Sequence, residues 1–388
     1  MRRLSIRSVL HAFLSAAAST LLLGALAGCD HAPSVIKIGV AQPLSGSIGA
    51  QGQDMLNGAQ LAVDEINAGG GVRIGSARAR LEIVSADDKA DAEAGKVAAQ
   101  RLVEADVLVA LANLNSGVSI AAAPIYAQAN IPQLAISTKP SYTQLQLATT
   151  LRLVANDDLQ SRAIGSFAAQ LPGAERFAVI DDATPYGKGL ADAVAADVAR
   201  AGKKVPLRLS LDNSRIDFTP QMAELRDTSS DVIVAILSDF QVEALVQQLA
   251  KAGLQRMRIV GGDTLKTDKL LHSAGVVQAI FATSPILEAR EFPNGPAFLE
   301  KFRKRFNGEP VYGAHYAYDA VHLVADAITR NGSVDRAHLL QRLKTFDGAA
   351  PVTGSMRFRD DGEQRYGAIA VYELRAGKWL PLMRSDRW

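Results

Sequence analysis

Cysteine is almost missing. Cys29 is the only one in 388 residues, so an intramolecular disulfide cannot form, and no Cys/His set has metal-ligand spacing. Neither a disulfide framework nor a structural metal is expected, and no cofactor motif is present. The GxSxG elbow, the Walker loop, the HExxH pair and a GxGxxG opening the first helix are also absent. No catalytic residue is assigned, and the chain is not read as an enzyme. The carboxylate pairs Asp87-Asp88 and Asp181-Asp182 follow strand-like runs and read as turn or helix-cap residues. His315 and His322 fall on one face of a helix. Basic residues are not clustered with aromatics except in "KFRKRF" at 301–306, whose helical spacing reads as a solvated face and not as a nucleic-acid site. After the N-terminus no apolar run reaches the roughly 18 residues that span a bilayer.

What the N-terminus does contain is a layout. Arg2, Arg3 and Arg7 precede an apolar stretch from Val9 to Ala25, followed by small residues and Cys29. That order is a secretory signal peptide. Leu26-Ala27-Gly28-Cys29 resembles the bacterial lipobox, which implies cleavage before Cys29 and lipid on its thiol. An ordinary signal or an uncleaved anchor with an incidental cysteine is the alternative. Cleavage removes three arginines, so Lys+Arg falls from 42 to 39 against 40 Asp+Glu. The apparent basicity is therefore partly a targeting signal.

From Val35 onward, strand-like and helix-like runs alternate. "VIKIGVAQPL" is followed by "GAQLAVDEINAGGG", "ARLEIVSAD" by "AEAGKVAAQRLVE", and "VLVALAN" by "VSIAAAPIYAQA". Such alternation indicates parallel βαβ units. The pattern restarts near "TLRLVANDD" and runs on to "RIVGGD" at 258–263, which predicts an α/β fold of two open lobes. The chain then reads as two long helices followed by antiparallel strands "GSMRFRDD" and "YGAIAVYEL", with "RDDGEQ" as a polar linker between them.

"GVAQPLSGSIGAQGQDMLNGAQLAVDEINAGGG", "NSGVSIAAAPIYAQANIP", "ISTKPSY", "DDLQS", "DDATPYGKGLADAV", "VGGD" and "YAYDAV" together resemble the type I periplasmic binding proteins of the leucine/isoleucine/valine-binding branch. The motifs keep that family's order along the whole mature chain. The resemblance implies two Rossmann-like lobes joined by three crossovers. It divides the chain into a signal peptide at 1–28, a linker at 29–34, lobe 1 at 35–154, lobe 2 at 155–282, a return to lobe 1 at 283–361 and a return to lobe 2 at 362–388.

Open parallel sheets bind ligands beyond the carboxyl ends of their strands, and several loops here occupy that position. Ser116 opens a helix after "VLVALA", where a hydroxyl beside free backbone N–H groups forms an anion seat; a plain helix cap is the other reading. By the resemblance, Ser116 binds an amino-acid carboxylate, and Ser137 and Thr138 supply a backbone N–H and a hydroxyl, with the choice of donor open. Lys139 either adds charge to that loop or stays solvated. Asp263 implies a partner for the ligand ammonium, and Tyr186 an aromatic packed on the ligand; turn roles are the alternatives. Gln51 and Ser238 stand where branched-chain binders carry tyrosines, which makes the side-chain end of the pocket more polar. The implied function is capture of an amino-acid-like small molecule, presented to ABC transporter permease subunits. The protein would be a monomer lipid-anchored on the periplasmic side of the inner membrane. A sensor or regulator built on the same fold is the alternative.

Overall fold

The computed structural model describes residues 32–387; residues 1–28, read above as a signal peptide, and Cys29 lie outside the described residues. The inner strands of the first sheet are buried on both faces and its edge hairpin only in part. The sheet contains β1 (Val35–Gln42), β2 (Val72–Ile74), β3 (Ala77–Asp87), β4 (Val109–Ala112), β5 (Gln133–Ala135) and β6 (Thr150–Arg152), in the order β2-β3-β1-β4-β5-β6. All neighbours are parallel except the β2–β3 hairpin, as expected of strands joined by helical crossovers. Helices α1 (Gly49–Ala68), α2 (Ala92–Glu104) and α3 (Ser116–Gln128) make those crossovers. The glycines after α1 have a steric reason. Gly71 has φ +80° and a Cβ on it would lie 2.2 Å from the Ala79 carbonyl oxygen, so the chain can turn into β2 there only without a side chain.

After β6 the chain crosses to α4 (Asp157–Ala169) and builds a second sheet from β7 (Arg176–Asp181), β8 (Lys204–Ser210), β9 (Val232–Ile236), β10 (Arg258–Gly261) and β11 (Ala279–Ser284). The helices between them are α5 (Pro185–Arg200), α6 (Thr219–Asp227) and α7 (Asp239–Lys251). Because β11 continues through Ser284, the second crossing comes after that residue and not at 283. Helices α8 (Gly295–Phe306), α9 (Ala314–Asn331) and α10 (Arg336–Thr345), with the small pair β12 (Gly348–Ala350) and β13 (Gly354–Met356), return to the first lobe. Finally β14 (Ala370–Arg375) and β15 (Lys378–Arg384) extend the second sheet to the order β15-β14-β11-β10-β9-β7-β8.

The C-terminal reading needs correction here. β13 pairs with β12, whereas β14 pairs antiparallel with β11 and β15, so the two predicted strands belong to different lobes. "RDDGEQ" is not a free linker either. The Arg152 N–H donates to the Gly362 carbonyl at 2.9 Å, and Glu363 is buried against the Arg152 guanidinium. A buried ion pair holds this polar turn to the edge of the first sheet. Pro206 in β8 and Pro381 in β15 both sit on edge strands, where a missing N–H costs no ladder bond.

Each lobe has its own apolar core. One large cluster packs the first sheet against α1, α8, α9 and α10, with a smaller one under α2 and α3; two more line the faces of the second sheet.

Candidate functional site

The carboxyl ends of the two sheets meet at a seam between the lobes. Lys139, after β5, donates from Nζ to the Pro185 carbonyl in the first turn of α5, at 2.6 Å. Gly189 leaves room for that side chain, since a Cβ there would stand 3.2 Å from Nζ. Lys139 is thus a strap between the lobes, made at an exposed position.

On the first-lobe side, Asn115 occupies the cap position of α3, and Ser116 is the first helical residue. The Ser116 hydroxyl accepts the Lys139 N–H at 3.3 Å; it does not cap its own helix. The loop carrying Ser137 and Thr138 is buried, and the Ser137 hydroxyl has no hydrogen-bond partner. The loop's carbonyls are all paired. Ser137 O accepts from Arg152 Nη1, Thr138 O accepts the Asp157 N–H at 2.9 Å, and Lys139 O accepts from Arg152 Nη2 at 2.8 Å.

On the second-lobe side, Asp263 follows β10 and is 9% exposed. Its carboxylate accepts from the Tyr186 hydroxyl at 2.6 Å, the Tyr312 hydroxyl at 3.1 Å and the Gln160 amide at 3.4 Å. Tyr186 lies in the first turn of α5, whose cap Thr184 accepts the Gly187 N–H at 2.9 Å. A Cβ on Gly262 would stand 2.3 Å from the Tyr186 hydroxyl oxygen; the phenol approaches Asp263 because that position is glycine. Burial, followed by the Asp263 charge, pushes the phenols of Tyr186 and Tyr312 well above the usual tyrosine range. Both remain donors at any physiological pH.

The residues that sequence reasoning missed join these two halves. Tyr312 comes from the first lobe, held by Asp54 of α1, whose carboxylate accepts the backbone N–H groups of Val311, Tyr312 and Ala314 at 2.9, 3.0 and 2.9 Å. Asp157 opens α4 and is buried, and neither of its carboxylate oxygens has a partner at normal hydrogen-bond geometry. Burial pushes its carboxyl up to about 7; the nearby Thr138 hydroxyl opposes that, the Asp263 charge adds to it, and Arg152 and Lys139 oppose it. Its only sequence signal is its place in "DDLQS". Gln51, in the first turn of α1, and Ser238, whose N–H donates to the Gln241 side chain at the start of α7, are half-buried. Among the described residues no hydrogen bond links either one to the Asp263 cluster.

The carboxylate pairs after β3 and β7 serve turns. Asp87 accepts the Leu44 and Lys89 N–H groups, and Asp182 that of Thr184. Among the described residues no group of three or more His, Cys, Asp or Glu side chains is placed to hold a metal ion. No described helix is long and apolar enough to cross a membrane.

This arrangement of two parallel-sheet lobes with a polar seam at their carboxyl ends has a counterpart among known families. A family model described as "Periplasmic binding protein" matches residues 35–378. The chain belongs to that family. The names of this periplasmic binding protein's relatives concern small solutes. The chain is 30% identical over 351 residues to an "Amino acid binding protein" of Pseudomonas aeruginosa, covering 88% of this chain and 91% of that one. The fold superposes with a TM-score of 0.77 on the branched-chain amino acid transporter substrate binding protein LivJ from Streptococcus pneumoniae, solved in complex with isoleucine. That match is 26% identical and covers 90% of this chain and all of the other. A solute binding protein of an ABC transporter from Rhodopseudomonas palustris, in complex with 3,4-dihydroxybenzoic acid, superposes at 0.77 with 20% identity over 91% and 97% of the two chains; that likeness bears on the fold.

Proposed function

We propose that the chain is the solute-binding component of an ABC importer and closes its lobes around an amino acid. The observation that carries this reading is the polarity of the seam. Ser116, Ser137 and Thr138 gather hydroxyls and backbone N–H groups on the first lobe, while Asp157 and Asp263 place two buried carboxylates beside them. A zwitterion matches both halves: its carboxylate takes the donors, and its ammonium answers the acids in charge-assisted hydrogen bonds worth roughly 1.5–3 kcal/mol each. An aromatic acid without an amine would bring its own negative charge beside the buried Asp263 carboxylate with no ammonium between them, which is costly in a buried site.

Only the closed form makes both sets of contacts, so the ligand favours closure by its differential affinity for that state. The permease subunits would read closure. The lipobox-like Cys29 would keep the receptor beside them on the periplasmic face of the inner membrane, and the receptor acts there as a monomer. Two or three acyl chains, at about 0.8 kcal/mol per buried CH₂, make such an anchor stable.

Calorimetric titration of refolded, ligand-free protein with the L-amino acids tests the reading. At least one should bind, and Asp263→Ala should weaken that ligand about 10- to 150-fold while the circular dichroism stays unchanged. Unaltered affinity in Asp263→Ala would remove the ammonium from this site. For the anchor, Cys29→Ser should move the protein from the membrane to the soluble periplasmic fraction or leave it unprocessed.

A further inference from the structure

Arg152 is the largest fully buried side chain in the chain's described part, and each of its nitrogens is engaged. Nε donates to Glu363 Oε2 at 3.0 Å, and Nη2 reaches Glu363 Oε1 at 3.2 Å. Nη1 donates to Ser137 O, and Nη2 also to Lys139 O at 2.8 Å. Glu363 is itself 6% exposed and accepts the Thr143 hydroxyl at 2.6 Å. The guanidinium charge is therefore neutralised within the pair, and what the pair delivers to the seam is direction. In a trans peptide the C=O and N–H point opposite ways. A Ser137 carbonyl pulled toward Arg152 aims the Thr138 N–H away from that side chain. We infer that Arg152, fixed by Glu363 from the third crossover, is the positioning residue that aims the 137–139 backbone at the ligand's anionic group. The inference rests on the reading that this loop holds a carboxylate. It adds that carboxylate recognition in the first lobe is set by a residue more than 200 positions away, on a segment that joins the lobes.

A planar fork can hold two carbonyls and a carboxylate at once; a lysine ammonium is a point charge on a flexible stem and cannot. Arg152→Lys and the near-isosteric Glu363→Gln are the variants, and L-leucine and L-leucinamide are the probes, since only the former carries the carboxylate. Arg152→Lys should weaken leucine at least about tenfold and leucinamide less than about twofold, and Glu363→Gln should act in the same direction with a smaller effect. Equal losses for both probes would reduce the pair to general stability and overturn the inference. Amide hydrogen exchange of the ligand-free protein, read by NMR, tests the loop without any ligand. Exchange at Thr138 and Lys139 should speed up at least about tenfold in Arg152→Lys while β1 and β4 keep their protection; unchanged exchange at both would overturn the positioning role. A wild-type protein that ignores leucine would count against the proposed ligand, and the exchange result would still decide whether Arg152 holds the loop.

Discussion

Asp157 concentrates the chemistry of the seam in one side chain. A carboxyl raised to about 7 by burial is largely protonated at pH 6 and must ionise to answer an ammonium. Below that value each pH unit costs up to about tenfold in affinity for a ligand that needs the charged form. Titrations at pH 6 and 8 should therefore show affinity rising by about tenfold with pH, with net proton release detected as a dependence of the apparent enthalpy on the buffer. Asp157→Asn should weaken binding and flatten the profile. A pH-independent affinity in wild type would mean that the acid does not meet the ligand. In the ligand-free chain the sign is opposite. The folded state keeps a proton that the unfolded chain releases from about pH 4 upward, so this group's contribution to stability is full at low pH and is lost as pH rises to about 7. Asp157→Asn should remove that slope from the pH dependence of the melting temperature.

At the scale of elements, the seam is built where loops follow strands, and its precision comes from what those loops omit. Gly262 has no side chain because the Tyr186 hydroxyl occupies that space. Gly262→Ala should push the phenol off Asp263 and raise the dissociation constant about tenfold, at the cost of a single hydrogen bond to a charged group, with little change in β10. The check is titration together with tyrosine fluorescence of the empty protein. Lys139 works across the seam: Lys139→Ala deletes the one described lysine bond from the β5 loop to α5. It should shift the empty protein toward open forms, seen as a larger radius of gyration by X-ray scattering, and weaken ligand about fivefold. A radius and affinity equal to wild type would mean that the strap carries no closure energy. Periodicity made the long elements legible in the sequence, because an apolar run such as "VIKIGVAQ" or a face repeated over α9 is local information. β2, β12 and β13, three residues each, are too short to show a period, and β15 is mostly exposed, so its alternation is not hydrophobic. The placement of Ser116, Tyr186 and Asp263 at the seam was legible because each follows a strand. Tyr312, Glu363 and the strap role of Lys139 were not, because each is defined by a partner in another part of the chain: Tyr312 by Asp263, Glu363 by Arg152, and Lys139 by Pro185.

For the whole molecule, the decisive feature is how little joins the two lobes. Their main cores are separate, and among the described residues the crossovers carry two small clusters. One is Leu287 with Ala368, Ala370 and Tyr372; the other is Ala155 with Ala163 and Ile369. Alanine-rich contacts bury little apolar area, so the crossovers hold the lobes together without coupling their stabilities strongly. The strap and the Tyr312–Asp263 bond add two polar links across the seam. A ligand bound between the lobes changes that balance because it contacts both at once and binds only the assembled state. At a free concentration 100 times its dissociation constant it contributes about 2.7 kcal/mol, all of which is lost when either lobe unfolds. Calorimetry should then show a calorimetric enthalpy above the van't Hoff value for the empty protein, the signature of two partly independent transitions. The two enthalpies should converge in a single, hotter transition at saturating ligand. A ratio of one in the empty protein, unmoved by ligand, would mean that the lobes already unfold as one unit and that closure adds no coupling between them.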